Sequence, residues 1–210
     1  MTSPLLPADF VVVAYVDLRL RVVELLRATP EVHGDLIVPA CPEWSVRELV
    51  GHVVGVPEDI ITGNMEGVTT PAWTAEQVAR HAGKSLLELA DSLEMTGFVF
   101  DDVITMIREP VNSQFVMDAV THELDLREAL GDEDARDSAA VTVAVGWLRF
   151  AFAAALPADT FEALDTNRIT PHELLRSLTG RRTPTQMDAL GLDGAAVSAA
   201  LAGTPLAPPV

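Results

Sequence analysis

Apolar residues recur every three or four positions through most of the chain, the period of a helix that turns one face to a core. Phe10, Val13, Val16, Leu20, Val23 and Leu26 form such a stripe and predict a first helix that stops before Pro30. Glu31 to Glu43 holds Gly34, Pro39 and Pro42 and reads as a connecting loop. Ser45-Val46-Arg47-Glu48 has the capping-box pattern, in which a Ser hydroxyl and a Glu carboxylate satisfy each other's orphan amides at a helix start. The second helix then carries Leu49, His52 and Val53 toward Ile60-Ile61, with Pro57 bending or restarting it. Thr74-Ala75-Glu76-Gln77 repeats the box pattern and opens a third stripe, Val78, Ala82, Leu86, Leu89 and Leu93, with Gly97 as its stop. After a less defined stretch, Pro110 opens a fourth helix with Phe115, Ala119, His122 and Leu126 in phase, closed by Gly131. Asp137 caps a fifth, with Val141, Val145, Leu148 and Phe152 in phase before Pro157.

Helical segments joined by short loops, with almost no period-two alternation, predict an all-α fold: an up-and-down helical bundle over residues 1–156. The texture changes over 157–210, a small C-terminal appendage made of short pieces. These are Asp165-Thr166-Asn167-Arg168-Ile169 and two short helices opened by Thr170-Pro171 and Thr183-Pro184. The three prolines between Gly203 and Val210 predict a poorly ordered end.

Charge narrows the function classes. Thirty-one acidic side chains face 14 basic ones, a net charge of −17. Lys84 and scattered arginines make no basic stripe, so neither a nucleic acid nor an anionic membrane surface is an expected partner. No apolar run reaches the roughly 18 residues of a spanning helix, and the N-terminus lacks the basic-then-apolar pattern of a signal peptide. A cytoplasmic location is the expectation. With 49% hydrophobic residues the chain can bury a full core, which excludes disorder. Cys41 is the only cysteine, which excludes an intrachain disulfide and a multi-cysteine zinc site. It reads as a plain small residue, with a nucleophilic role as the alternative.

The candidate chemistry lies on the second and fourth helices. Asp118 and His122 are four residues apart, so their side chains stack on one helical face and could grip one ion together. His52 falls where the apolar period turns inward, and opposite that pair it completes a His-Asp-His triad. Three N/O ligands with open positions describe a catalytic zinc site and equally suit nickel or ferrous iron; a solvated ion pair is the plain alternative. Asp125, three residues beyond His122, is placed to accept from a ligand imidazole or to form a salt bridge. Glu123 points away from that face and reads as solvated. Trp44 and Trp73 precede helix starts and read as staples against the core or as linings of a pocket mouth. His33, His81 and His172 read as surface or capping residues. Arg176, Arg181 and Arg182 form the one local basic cluster, docking the appendage onto acidic surface or anchoring carboxylates of a cofactor or substrate.

Three stretches carry a family resemblance. Val38-Pro39-Ala40-Cys41-Pro42-Glu43-Trp44-Ser45-Val46-Arg47-Glu48-Leu49-Val50-Gly51-His52-Val53 resembles the opening motif of the mycothiol-dependent maleylpyruvate isomerase family, an actinobacterial branch of the DinB/YfiT-like four-helix bundles. Asp118-Ala119-Val120-Thr121-His122-Glu123-Leu124-Asp125-Leu126-Arg127 resembles its acid-x-x-x-His stretch. His172-Glu173-Leu174-Leu175-Arg176-Ser177-Leu178-Thr179-Gly180-Arg181-Arg182 is similar to a third motif. In order and spacing the three cover nearly the whole chain. The resemblance implies a DinB-like four-helix bundle whose divalent-metal ligands fall on His52, Asp118 and His122, with mycothiol as thiol co-substrate. The family's archetype carries Glu where this chain has Asp118, and a longer C-terminal domain than the appendage here, which sets maleylpyruvate itself in doubt as the substrate.

A divalent ion with open positions can stabilise a thiolate and polarise an electrophile, so the expected activity is a mycothiol-using S-transferase or isomerase acting on a small electrophile. The alternatives are a non-enzymatic metal- or ligand-binding stress protein and a metal-dependent hydrolase. A homodimer is the expected assembly.

Overall fold

A computed structural model describes residues 3–164 and 168–208; positions 165–167, within the first of the short pieces expected in the appendage, lie outside the described residues, as do 209 and 210 of the proline-rich end. The protein is mostly helical, so the all-α expectation holds. The longest elements are α1 (Ala8–Ala28), α2 (Val46–Thr62), α4 (Leu86–Val103), α5 (Val111–Leu130) and α6 (Ala139–Phe152). Shorter ones are α3 (Pro71–Arg80), α7 (Ala158–Ala163), α8 (Pro171–Leu178), α9 (Pro184–Ala189) and α10 (Gly194–Leu201). A small antiparallel hairpin of β1 (Ile37–Val38) and β2 (Cys41–Ser45) precedes α2.

α1 lies against α4 and α5, and α2 lies against the same two helices, so the four enclose one apolar interior. α6 covers α5 and part of α1, and α8 packs on α6. Tyr15, Phe100 and Phe115, from three different helices, meet with ring centroids 4.8–5.2 Å apart, the spacing of favourable tilted aromatic pairs. Leu174, Leu175 and Leu178 of α8 belong to the same core, so the appendage shares the interior of the main body. Among the described residues no helix is long and apolar enough to cross a membrane.

Several boundaries differ from the expectation. In α1 the buried residues are Val11, Ala14, Tyr15, Leu18, Arg19, Val22, Val23 and Leu26, whereas Phe10, Val13 and Leu20 are exposed. Consecutive valines at 11, 12 and 13 give this helix apolar residues on more than one face, so the period alone chose the wrong phase. Residues 31–45 form a 3-10 turn and the hairpin rather than a loop, and Val38 and Cys41 are buried by it. The single third helix is two. Thr70 caps α3, accepting from the Trp73 amide, with Pro71 at the first helical position, and Thr74 lies inside the helix. The chain breaks at Gly83, whose φ of 81° is left-handed, and Ser85 with Glu88 forms a complete capping box for α4. α4 then runs through Gly97, which leaves room for the Arg19 guanidinium, to Val103. Ser138 rather than Asp137 caps α6. Residues 206–208 lie against Gly180.

α3 reaches the interior through a seam in α2. A side chain at Gly55 would put its Cβ 2.6 Å from Cβ of Gln77 and 2.7 Å from its Cγ, and one at Gly51 would meet the His81 Cβ at 3.2 Å. Both gaps lie on the face of α2 that α3 covers, so helix-to-helix distance here is set by absent side chains. Gly55→Ala should therefore push α3 outward and lower stability by about 1–3 kcal/mol, read as a shifted urea midpoint. An unchanged midpoint would show that the seam is not tight.

Candidate metal centre

The Ser45–Glu48 capping box starts α2 so that His52 falls in its second turn, facing α5. Asp118 and His122 lie one turn apart on the facing helix. His52 Nε2 is 3.9 Å from Asp118 Oδ2, and His122 Nε2 is 3.8 Å from Asp118 Oδ1. The two imidazoles are nearly perpendicular, with centroids 4.9 Å apart. Side-chain exposure is 6% for His52 and 11% for His122 but 42% for Asp118, so the group is walled on the histidine side and open to solvent at the carboxylate. Asp118 also borders a narrow apolar cleft lined by Tyr15, Leu18, Val53, Val56 and Phe115. Trp44, delivered by β2, lies over both rings, with centroids 5.4 Å from His52 and 6.3 Å from His122.

Each histidine has its second nitrogen turned to a protein group. His52 Nδ1 is 2.7 Å from Gln77 Oε1. Burial, with His122 acting in the same direction against the attraction of Asp118, pushes the His52 pKa down to about 4, so its ring is neutral at pH 7. His122 Nδ1 is 3.4 Å from Asp125 Oδ2, without hydrogen-bond alignment. Asp125 is fully buried and is clasped by Arg176 and by Arg181, whose Nη2 is 2.7 Å away. Burial alone would raise its pKa, but Arg181 and His122 outweigh that and hold it far below the usual carboxylate range.

This donor set fits a divalent cation. Two imidazoles and a carboxylate present three ligand atoms within 4.8 Å of one another. Their 3.8–3.9 Å separations are a few tenths of an ångström wider than the about 3.4 Å that tetrahedral bonds of about 2.0–2.1 Å would require. A second grouping, Cys41, His122 and Asp125, has similar spacing but fits poorly. Its carboxylate is already engaged by two guanidiniums, and burial, reinforced by Asp125, pushes the Cys41 thiol up to about 11, so the proton stays on sulfur at pH 7. Cys41 is thereby the buried small residue of the sequence reading rather than a nucleophile.

The remaining sequence candidates divide. Asp125 lies beside His122 as expected. The arginine cluster is internally engaged: Arg176 and Arg181 on Asp125, and Arg182 on Glu173 with Nε 2.7 Å from a carboxylate oxygen. Arg176 and Arg181 dock the appendage on α5 and Arg182 pairs within the appendage, so the anchor for a thiol cofactor expected at Arg176, Arg181 and Arg182 meets donors already paired with carboxylates. Glu123 corrects the sequence reading. It is buried, with Arg21 Nη2 at 2.8 Å and Arg127 Nη2 at 3.1 Å, because α1 covers the face of α5 that periodicity assigned to solvent. His81 is the C-terminal cap of α3 as read, yet it is buried, with Nε2 3.0 Å from Glu58. Trp73 does not precede a helix start but lies within the first turn of α3, buried, with its Nε1 donating to the Asn64 carbonyl. His33 and His172 are partly exposed. Sequence reasoning missed Gln77 and Asp59, both buried beside His52. The one available signal was that Gln77 occupies the inner side of a helix that carries Trp73 one turn earlier.

No protein-family model, no curated protein and no solved structure matches the chain.

Two outcomes follow from these charges. Below its ordinary pKa of 6.5 a His52 in the unfolded chain takes up a proton that the folded site refuses until about pH 4. The stabilisation is therefore complete above pH 6.5 and lost as pH falls toward 4, by up to about 3 kcal/mol. Urea titrations of metal-free protein across that window should show a steeper loss than in His52→Gln, and equal slopes would refute the assignment. Arg176→Met removes one of the two cations on a buried carboxylate and should cost about 3 kcal/mol. Adding Asp125→Asn should recover part of that loss in a double-mutant cycle, whereas strict additivity would show the two groups to be uncoupled.

Proposed function

We propose that this chain is a DinB-like up-and-down four-helix bundle, a short member of the mycothiol-dependent maleylpyruvate isomerase family, that binds one divalent metal, zinc first, through His52, Asp118 and His122. The closed arrangement of α1, α4, α2 and α5 supports the bundle reading, and the three ordered motifs support the family. The observation that carries the metal site is the convergence of two Nε2 atoms and a carboxylate, from two facing helices, with the far nitrogen of each imidazole turned to Gln77 or Asp125. Ligand histidines are characteristically braced as His52 is here by Gln77.

The activity proposed is an S-transferase or isomerase that joins mycothiol, as thiol co-substrate, to a small electrophile. A divalent ion held here would supply Lewis acidity, favouring the thiolate form of a low-molecular-weight thiol and polarising an electrophilic oxygen. The protein's own groups do the rest. His52 stays neutral and offers an imidazole lone pair at pH 7. The half-exposed Asp118 marks the side from which both reactants enter. Apolar side chains, among them Val53, Val56 and Phe115, wall the inner side of Asp118, while Trp44 covers the rings.

Metal analysis of the purified protein should find about one equivalent of zinc, nickel or iron, and the His52→Ala/His122→Ala variant should hold at least tenfold less. Equal, negligible metal in both would sink the site. Metal-loaded protein mixed with mycothiol and a generic electrophile should outpace the free thiol. No such rate would reduce the protein to a metal- or ligand-binding bundle, and turnover of an ester or amide without thiol would make it a hydrolase instead.

A further inference from the structure

Behind His52 lies a chain of buried polar groups that reaches from the candidate site to the surface. Gln77 is fully buried, and its amide bridges two partners: Oε1 is 2.7 Å from His52 Nδ1 and Nε2 is 2.7 Å from Asp59 Oδ2. Asp59 is itself 1% exposed. Its other oxygen, Oδ1, accepts from Arg80 Nη1 at 2.7 Å and from Asn64 Nδ2 at 3.0 Å. Burial works to raise the Asp59 pKa, and the bonds from Arg80, Asn64 and Gln77 overcome it, so the carboxyl is ionised.

These bonds have only one consistent direction. An ionised carboxylate accepts and cannot donate, so the Gln77 group facing Asp59 must be the NH2. The amide oxygen is thereby turned to His52, and that oxygen can only accept. His52 must then carry its proton on Nδ1, which leaves the lone pair on Nε2 pointing toward Asp118 and His122. Flipping the Gln77 amide would set its oxygen against the Asp59 carboxylate and leave two buried acceptors facing each other, an arrangement that costs the desolvation of both.

We infer that Gln77, oriented by Asp59, is a positioning residue that fixes the tautomer of His52 and so decides which nitrogen is presented to the metal centre. The inference rests on the proposed metal reading for its purpose, but not for its geometry. It also separates the two histidines. His52 is braced by a neutral amide at second hand from a charge, whereas His122 faces the carboxylate of Asp125 directly. The Gly51–Gly55 seam is part of the same device, because it admits α3 closely enough for Gln77 to reach the ring.

Asp59→Asn tests the relay with almost no change of shape. Arg80 and Asn64 both donate to Oδ1, so the substituted amide keeps its oxygen there and turns its NH2 toward Gln77. Gln77 must then flip to accept, presenting its own NH2 to His52 Nδ1 and moving the imidazole proton to Nε2. Long-range proton–nitrogen correlation spectra of the metal-free protein at neutral pH read this directly, with the His52 signals identified by their absence in His52→Gln. The expected result is an Nδ1–H imidazole in the wild type and an Nε2–H imidazole in Asp59→Asn, with the His122 signals unmoved. Zinc affinity should fall about 10–100-fold in Asp59→Asn and in Gln77→Met, which removes the bridging amide at similar volume. An Nε2–H His52 in the wild type overturns the inference, as does an Nδ1–H His52 retained in folded Asp59→Asn or in Gln77→Met at unchanged zinc affinity. A wild-type and variant pair with the expected tautomers supports the relay even where zinc does not bind, an outcome that overturns the proposed metal function alone.

Discussion

Asp125 holds a negative charge at a position with no solvent contact, and an isolated carboxylate there would be unfavourable by several kcal/mol. Two guanidiniums offset it, one from α8 and one just beyond that helix. The charge is thus neutralised only when the C-terminal helices are docked, and docking them closes the core over Leu174, Leu175 and Leu178. The same carboxylate lies beside His122 and Cys41. One electrostatic requirement therefore ties together the appendage, the hairpin and the α5 side of the candidate metal centre.

The α2 side is held by different means. There the close approach of α3 over a glycine seam brings a neutral amide to His52 Nδ1, and the charge behind it, on Asp59, reaches that nitrogen only through the amide. The two imidazoles come from facing helices yet are set by unlike neighbours. A site whose histidines differ in this way has one ring kept neutral by burial and another placed against a carboxylate, and both present Nε2 to the same partly exposed Asp118.

Several local signals were legible because their physics is local, although the box pattern at Thr74 and the cap at Asp137 fell to Thr70 and Ser138. The Ser45–Glu48 capping box, the αL cap at Gly131 and the one-turn spacing of Asp118 and His122 depend on residues within four positions of one another. They would look the same in any fold that keeps those helices. The stripe of α6 was legible because Val141, Val145, Leu148 and Phe152 are all buried, although the helix is apolar at most other positions too and Phe150 is exposed. α1 was not, since its valines cover more than one face and only the arrangement of α4, α5 and α6 around it selects which is buried. The split of the third stripe into α3 and α4 was signalled by Ser85 and Glu88, but the apolar spacing ran across Gly83 without a break.

The sequence by itself determined that this is a helical protein with a core, and that two histidines fall on inward-facing turns of two helices, with an aspartate one turn from the second. Helical period and capping chemistry are enough for that. Only the tertiary structure decided which acidic groups are buried, because burial of a charge is stable only beside an opposite charge or a donor, and those partners are remote in sequence. Glu123 meets Arg21 102 residues away, and Asp125 meets Arg176 51 residues away. Asp118, the acid that periodicity marked as inward, is the most exposed of the three candidate ligands. Its place at the mouth follows from the same rule, for it is the one carboxylate of the site that no arginine covers.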